Sequence, residues 1–185
     1  SKYDDKLLGG NMVISKKFEI ISSDLSFNFK EDNHSEQNNI NKPWLDFKAR
    51  TYSIGNLNTF KIADNSEFQV GASMDIYDKI KAQEEKNNTA VDTPAGVKVK
   101  AVNPFISLTY RPDSVYSIFF SFAKKIKFPT LKNLYNRSVD GLNNPGNPDL
   151  KAEESDNYNI SITRAVKNGN IALNWFFYNI ENHII

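Results

Sequence analysis

Residues 115–125 read Val-Tyr-Ser-Ile-Phe-Phe-Ser-Phe-Ala-Lys-Lys. Tyr116, Ile118, Phe120 and Phe122 are large and apolar, whereas Val115, Ser117, Phe119, Ser121, Ala123 and Lys125 form a smaller, more polar row. A strand points successive side chains to opposite faces, so this segment has one greasy face and one mostly wettable face. The pattern recurs outward from it. Phe68, Val70, Ala72, Met74 and Ile76 alternate with Glu67, Gln69, Gly71, Ser73 and Asp75. Val102, Ile106, Leu108 and Tyr110 alternate with Asn103, Ser107, Thr109 and Arg111, and Tyr158, Ile160 and Ile162 with Asn157, Asn159, Ser161 and Thr163. In 44–62, Leu45, Phe47 and Ala49 alternate with Asp46, Lys48 and Arg50, and the apolar row is expected on the same greasy face. No helical pattern is long enough to cover these faces, so they need a second sheet or a lipid bilayer.

Composition narrows the choice. A hydrophobic fraction of 39% and a mean hydropathy of −0.53 exclude a bundle of membrane helices. They leave a membrane barrel open, because only alternate residues of its strands need be apolar. The net charge of +1 across 185 residues gives no reason to invoke nucleic acid. Without cysteine there is neither a disulfide framework nor thiolate chemistry. The chain starts and ends inside candidate strands, with no signal peptide at Ser1, and is read as a fragment or a mature chain trimmed at both ends.

Loop lengths carry further information. Candidate strands lie near 3–14, 18–30, 44–62, 67–82, 100–111, 114–128, 155–166 and 171–183. Short connections at 15–17, 63–66, 112–113 and 167–170 carry the Asn, Asp, Gly and Pro that tight turns require. Long ones, at 31–43, 83–99 and 129–154, fall between them. Short and long alternate throughout, which puts every short turn at one end of an up-and-down sheet. Outer-membrane barrels have this asymmetry, and a Greek-key sandwich has no reason to produce it. Tyr110 and Tyr116 flank the Pro112-Asp113 turn on the apolar face, where an interfacial aromatic belt would put them.

From Tyr110 onward the chain carries recognisable runs: YRPDSVYSIFFSFAKKIKFPTLKNLYN, then NPGNPDLKAEESDNYNISI, then IALNWFFYNIENHI. These resemble the β-barrel of TonB-dependent outer-membrane receptors. Phe128, Pro129, Thr130, Leu131, Leu134 and Tyr135 match that family's rising "F-x-x-P-[ST]-L-x-x-L-Y" segment. Asn147, Pro148, Leu150, Lys151 and Glu153 match its loop-closing motif, and Asn157, Tyr158 and Ile160 its descending strand. Phe177, Tyr178, Ile180 and Ile184 match its aromatic strand, while Ala152 and Ser161 depart from the usual Pro and Gly. Upstream, Gly71 and Asp75 fit a further family strand in which Ser73 replaces Arg.

The resemblance implies an all-β, antiparallel up-and-down transmembrane barrel, of which residues 1–185 form a part of about eight strands, with the plug domain absent. It implies an outer-membrane transporter of a Gram-negative bacterium, not an enzyme, taking up a ferric siderophore, haem or cobalamin. The implied partners are membrane lipid and lipopolysaccharide, its own plug domain, TonB, and a small-molecule ligand such as a metal chelate, with no nucleic acid and no cofactor. A soluble β-sandwich binding or adhesion module is the alternative, and a small self-closed structural barrel a third.

Catalytic signatures are missing: there is no Gly-rich phosphate loop, nucleophile elbow or zinc spacing. His34, expected in the first long loop with Glu31, Asp32 and Glu36, is a candidate external metal or ligand contact, set against a plain solvated loop. Trp44, Tyr135 and Trp175 could stack on flat ligands or serve as belt residues, and Asn136 and Arg137 are further ligand-loop candidates. Lys124, Lys125 and Lys127 are placed at the external strand end, as a hydrated collar or as contacts for lipopolysaccharide phosphates.

Overall fold

Alternation with a period of two, broken by short turn sequences, folds as a meander of long strands. A computed structural model describes residues 2–93, 98–135, 147 and 149–184. Its elements are β1 (Lys2–Lys17), β2 (Ile21–Gln37), β3 (Leu45–Ala63), β4 (Ser66–Lys81), β5 (Gln83–Lys86), β6 (Thr89–Asp92), β7 (Lys98–Tyr110), β8 (Tyr116–Lys127), α1 (Leu131–Tyr135), β9 (Glu153–Val166) and β10 (Gly169–Glu181). Eight strands make one sheet in the order β1-β2-β3-β4-β7-β8-β9-β10, each antiparallel to its neighbours. Strand order therefore follows chain order, and among the described residues only the β5–β6 hairpin stands outside the sheet. This is the wall of an up-and-down barrel.

The short turns lie at one end of that wall. At the β7–β8 turn the Asp113 carboxylate accepts from the Val115 and Tyr116 amides at 2.8 and 2.7 Å, which closes it as an Asx turn. At the β3–β4 turn Lys61 pairs with Asp64 at 2.8 Å, and that ammonium holds the carboxyl below its ordinary range.

Register aligns the apolar rows. Ile21, Phe60, Phe68, Leu108, Phe120, Ile160 and Trp175 lie side by side across successive strands from β2 to β10. Phe120 is 37% exposed and Trp175 72%, and among the described residues no second sheet covers this face. A soluble protein does not leave an apolar surface of this extent open to water. The opposite, inner face is tied by polar ladders. Ser107 Oγ donates to Gln69 Oε1 at 3.1 Å, and Asn103 Nδ2 donates to Asp75 Oδ2 at 2.7 Å and Ser73 Oγ at 3.1 Å. Gly71 is needed on this face. A Cβ there would stand 2.4 Å from the Asn56 carbonyl oxygen and 3.0 Å from Leu57 Cα.

Three expectations need correction. β2 runs on to Gln37, so His34 lies in a strand rather than a long loop. The extension carries no apolar signal because charge pairs hold it instead: Glu31 with Lys48 and Arg50 at 2.7 Å each. Residues 83–99, expected as loop, contain the β5–β6 hairpin, turned by Asn87 and Asn88 at φ 50° and 60°. Finally, Leu45, Phe47 and Ala49 lie on the inner face, 3%, 2% and 1% exposed, whereas Tyr52, Ile54 and Phe60 of the same strand face outward. The alternation of β3 itself runs on from Leu45 to Lys61, although its pairing with β4 shifts register between Lys48 and Ala49 and between Lys61 and Ala63. Toward the long-loop end the outer side is wet, so Asp46, Lys48 and Arg50 face it, and the apolar row packs inward beneath the loops.

Candidate ligand-capture rim

The inner face at the long-loop end is roofed by α1. Thr130 caps it: the Asn133 amide donates to Thr130 Oγ1 at 3.2 Å and the Thr130 amide to Asn133 Oδ1 at 3.1 Å, a reciprocal capping arrangement. The cap sets Leu131 and Leu134, each 5% exposed, facing inward. Leu131 joins Leu45, Phe47, Ala49, Tyr77 and Ala82 in one buried cluster, with Phe128 and Ala90 against it. The Tyr77 and Phe128 rings stack at 5.2 Å. Between these elements lies a cavity of about 360 Å³ lined by Tyr77, Val99, Phe128, Leu134 and Leu150 among others. Such a chamber, mostly apolar with Lys79, Lys151 and Glu154 at its edge, suits an organic ligand that bears polar groups.

A second, more polar cavity of about 260 Å³ lies between β1, β2 and the start of α1, bordered by Asp5, Lys6, Lys30, Asp32, His34, Thr130 and Leu131. His34 is 5% exposed, with Tyr3 stacked at 5.9 Å and Phe47 at 5.8 Å. Its Nδ1 lies 2.5 Å from Asp5 Oδ1, and its Nε2 lies 3.6 Å from Glu36 Oε2. Register explains the grouping, since Asp5, His34 and Phe47 are direct cross-strand partners and Glu36 follows His34 on the same face.

The expected site residues separate here. His34 enters the rim, but as a buried wall residue. Trp44 is 42% exposed immediately before β3. Tyr135 ends α1, while Asn136 and Arg137 lie outside the described residues. Trp175 sits in the outward apolar row, away from the rim. Of the lysines, Lys124 pairs with Glu154 at 2.6 Å, and Lys127 lies 3.9 Å from Glu153. His183 meets Glu153, contributed by β9, at 2.9 Å. Sequence reading gave Asp5, Phe47 and Leu131 no part in this site, and set Glu36 beside His34 only as a loop neighbour; the two share a face once β2 is extended past Lys30.

Comparison with known proteins bears on this geometry. The family model described as "TonB dependent receptor-like, beta-barrel" matches residues 13–185. No curated protein sequence matches the chain. Among solved structures, "Copper transporter OprC" superposes with a TM-score of 0.77 at 12% identity, covering 96% of this chain and 30% of that one. The ferric-catecholate import receptor Fiu from E. coli K12 gives a TM-score of 0.66 at 15% identity, covering 97% of this chain and 32% of that one. The siderophore receptor PirA from Acinetobacter baumannii gives 0.66 at 15% identity, covering 97% and 27%. The chain thus spans about a third of the length of these similar structures.

Proposed function

Because the chain belongs to the TonB-dependent receptor β-barrel family, we propose that it is part of the wall of an outer-membrane importer for a scarce, bulky nutrient of the ferric siderophore, haem or cobalamin class. The observation that carries this reading is the roofed inner rim: an apolar chamber of about 360 Å³ at the long-loop end, closed by α1 and its flanking segments. Solved relatives of this fold described as a copper transporter and as siderophore receptors favour metal-bearing cargo. In this reading membrane lipid and lipopolysaccharide cover the apolar row. The receptor's own plug closes the lumen, and TonB supplies inner-membrane energy that rearranges the plug. The ligand is captured at the rim and released inward, and no covalent bond changes.

Two experiments test the reading. Shortening residues 136–146 to a brief turn in the intact receptor should cut ligand uptake while leaving its amount in the outer membrane unchanged, because loop length costs little stability. Unchanged uptake would remove this loop from the capture step. A cysteine at Asn87 should react with an impermeant reagent on whole cells and one at Asn168 should not. The reverse pattern would invert the orientation and refute the rim as a capture site.

A further inference from the structure

We infer that the outward face of β1 to β4 holds one lipopolysaccharide molecule as a bound ligand, with an acyl chain in a groove over Gly10 and a lipid phosphate on the cations beside it. The groove encloses about 520 Å³ and is walled by Met12, Phe27, Phe29, Tyr52, Ile54 and Met74. Register assembles it: Gly10 pairs with Phe29, Phe29 with Tyr52 and Tyr52 with Ile76, all on the outward side. The Phe29 and Tyr52 rings lie 5.4 Å apart and form one bank. Gly10 forms the floor. A Cβ there would meet nothing within 4 Å among the described residues, whereas at Gly71 it would strike the β3 backbone. Packing therefore does not demand a glycine at position 10, and a glycine inside a strand weakens it. What the missing side chain provides is open space in front of Phe29. Three interstrand spacings of about 4.8 Å make the trough roughly 14 Å long, which suits an acyl chain rather than a compact headgroup.

Charge selects the occupant. The groove lies where the outward face of β3 changes from Lys48 and Arg50 to Tyr52 and Ile54. Tyr52 turns its hydroxyl to Arg50, as an interfacial aromatic does with its ring in hydrocarbon. On the headgroup side of the groove, Lys48, Arg50, Lys98 and Lys100 share the outward face. Glu31 is divided between Lys48 and Arg50 at 2.7 Å each, and Asp78 takes Lys98 at 3.2 Å. Lys100, the cross-strand partner of Ile76, makes no ion pair among the described residues. The neighbouring pair of Lys81 with Asp46, at 3.0 Å, adds no net charge. Four cations thus face two carboxylates at headgroup level. A zwitterionic lipid leaves that excess unmatched, whereas a doubly phosphorylated glycolipid neutralises it, with the Arg50 guanidinium suited to a phosphate. The site rests on the proposed orientation, which turns the long-loop end to the lipopolysaccharide leaflet. It goes beyond a general lipid coat, because a bound molecule is stoichiometric.

The test uses the full-length receptor, purified in mild detergent, with bound lipid counted by native mass spectrometry. Heat-shift mobility and whole-cell labelling of a cysteine at Asn87 verify folding and orientation. The unaltered receptor should retain one lipopolysaccharide. Once delipidated, it should rebind lipopolysaccharide in preference to monophosphorylated lipid A and to phosphatidylglycerol. Gly10→Phe should lose the retained molecule, while Ile160→Phe, on the same face outside the groove, should keep it. Lys100→Gln should weaken rebinding about 5-fold, the effect of one cation at an anionic lipid surface. Retention by Gly10→Phe, equal loss in Ile160→Phe, unchanged rebinding by Lys100→Gln, or equal rebinding of phosphatidylglycerol would each mean an ordinary lipid coat and overturn the site. Labelling of Asn87 from the periplasmic side alone would instead overturn the orientation, and the site with it.

Discussion

Arginine placed along β8 should report depth in the bilayer residue by residue. Tyr116, Ile118 and Phe120 share the outward face, and Tyr116 adjoins the turn at the short-loop end. Four residues at about 3.3 Å, on a strand tilted by about 45°, put Phe120 roughly 9 Å deeper than Tyr116. The apolar band of such barrels is about 25 Å tall, so Phe120 lies some three quarters of the way to its midplane. Arginine at the midplane costs about 2–4 kcal/mol and near the interface about 0–1. The expected penalties are therefore about 2–3 kcal/mol for Phe120→Arg, about 1 for Ile118→Arg and under about 1 for Tyr116→Arg. Ser121→Arg, on the inner face opposite Asn159, should cost under about 1 kcal/mol. Ser107 is no substitute for that control, because it is 2% exposed and bonded to Gln69, so any large residue there meets packing. The assay is equilibrium guanidinium unfolding of the full-length receptor in lipid vesicles, followed by tryptophan fluorescence. A flat series along β8, or a penalty at Ser121 equal to that at Phe120, would refute the assignment of faces.

Three further outcomes follow from named contacts. Gly71→Ala should lower the unfolding midpoint by about 1–3 kcal/mol equivalent, since its Cβ would press on the β3 backbone at Asn56; an unchanged midpoint would mean the strands separate freely there. Phe47→Ala should cost about 3–5 kcal/mol, because the ring is 2% exposed within the inner cluster; a loss below 1 would show that this cluster is not packed in the membrane-embedded protein. Leu131→Asp should release α1 from the wall, raising protease cleavage within 129–154 while the barrel keeps its heat-shift mobility; unchanged cleavage would mean the helix is held by other contacts.

Much of this architecture is legible in the sequence, and its limits have a physical origin. Tyr116 to Phe122 and Phe68 to Ile76 announce their faces because lipid on one side and a polar interior on the other impose strict alternation. Loop lengths gave the direction of the meander for the same reason. The rim was harder to read. Residues 31–37 are charged and polar, so they resemble a loop, yet cross-strand pairs such as Glu31 with Arg50 keep them in β2. His34 and Glu36 consequently looked solvated when they are buried. Asp5, contributed by another strand, could be joined to them only through register, which depends on where each turn closes.

β3 carries two opposed hydropathy codes on one unbroken strand: Leu45, Phe47 and Ala49 inward near one end, Tyr52, Ile54 and Phe60 outward along the rest. Between Ala49 and Tyr52 the strand thus records the waterline of the membrane in its own sequence. The same double code guards assembly. A slip of one residue against β2 or β4 would turn Phe47 to the aqueous exterior and Ile54 to the polar interior at once. A slip of two, toward the short turns, would restore the faces but carry Arg50 down to the level now held by Tyr52. The first error is penalised on both sides of the barrel and the second on its outer side alone, so the correct pairing is selected by a lock with two wards, one wet and one oily.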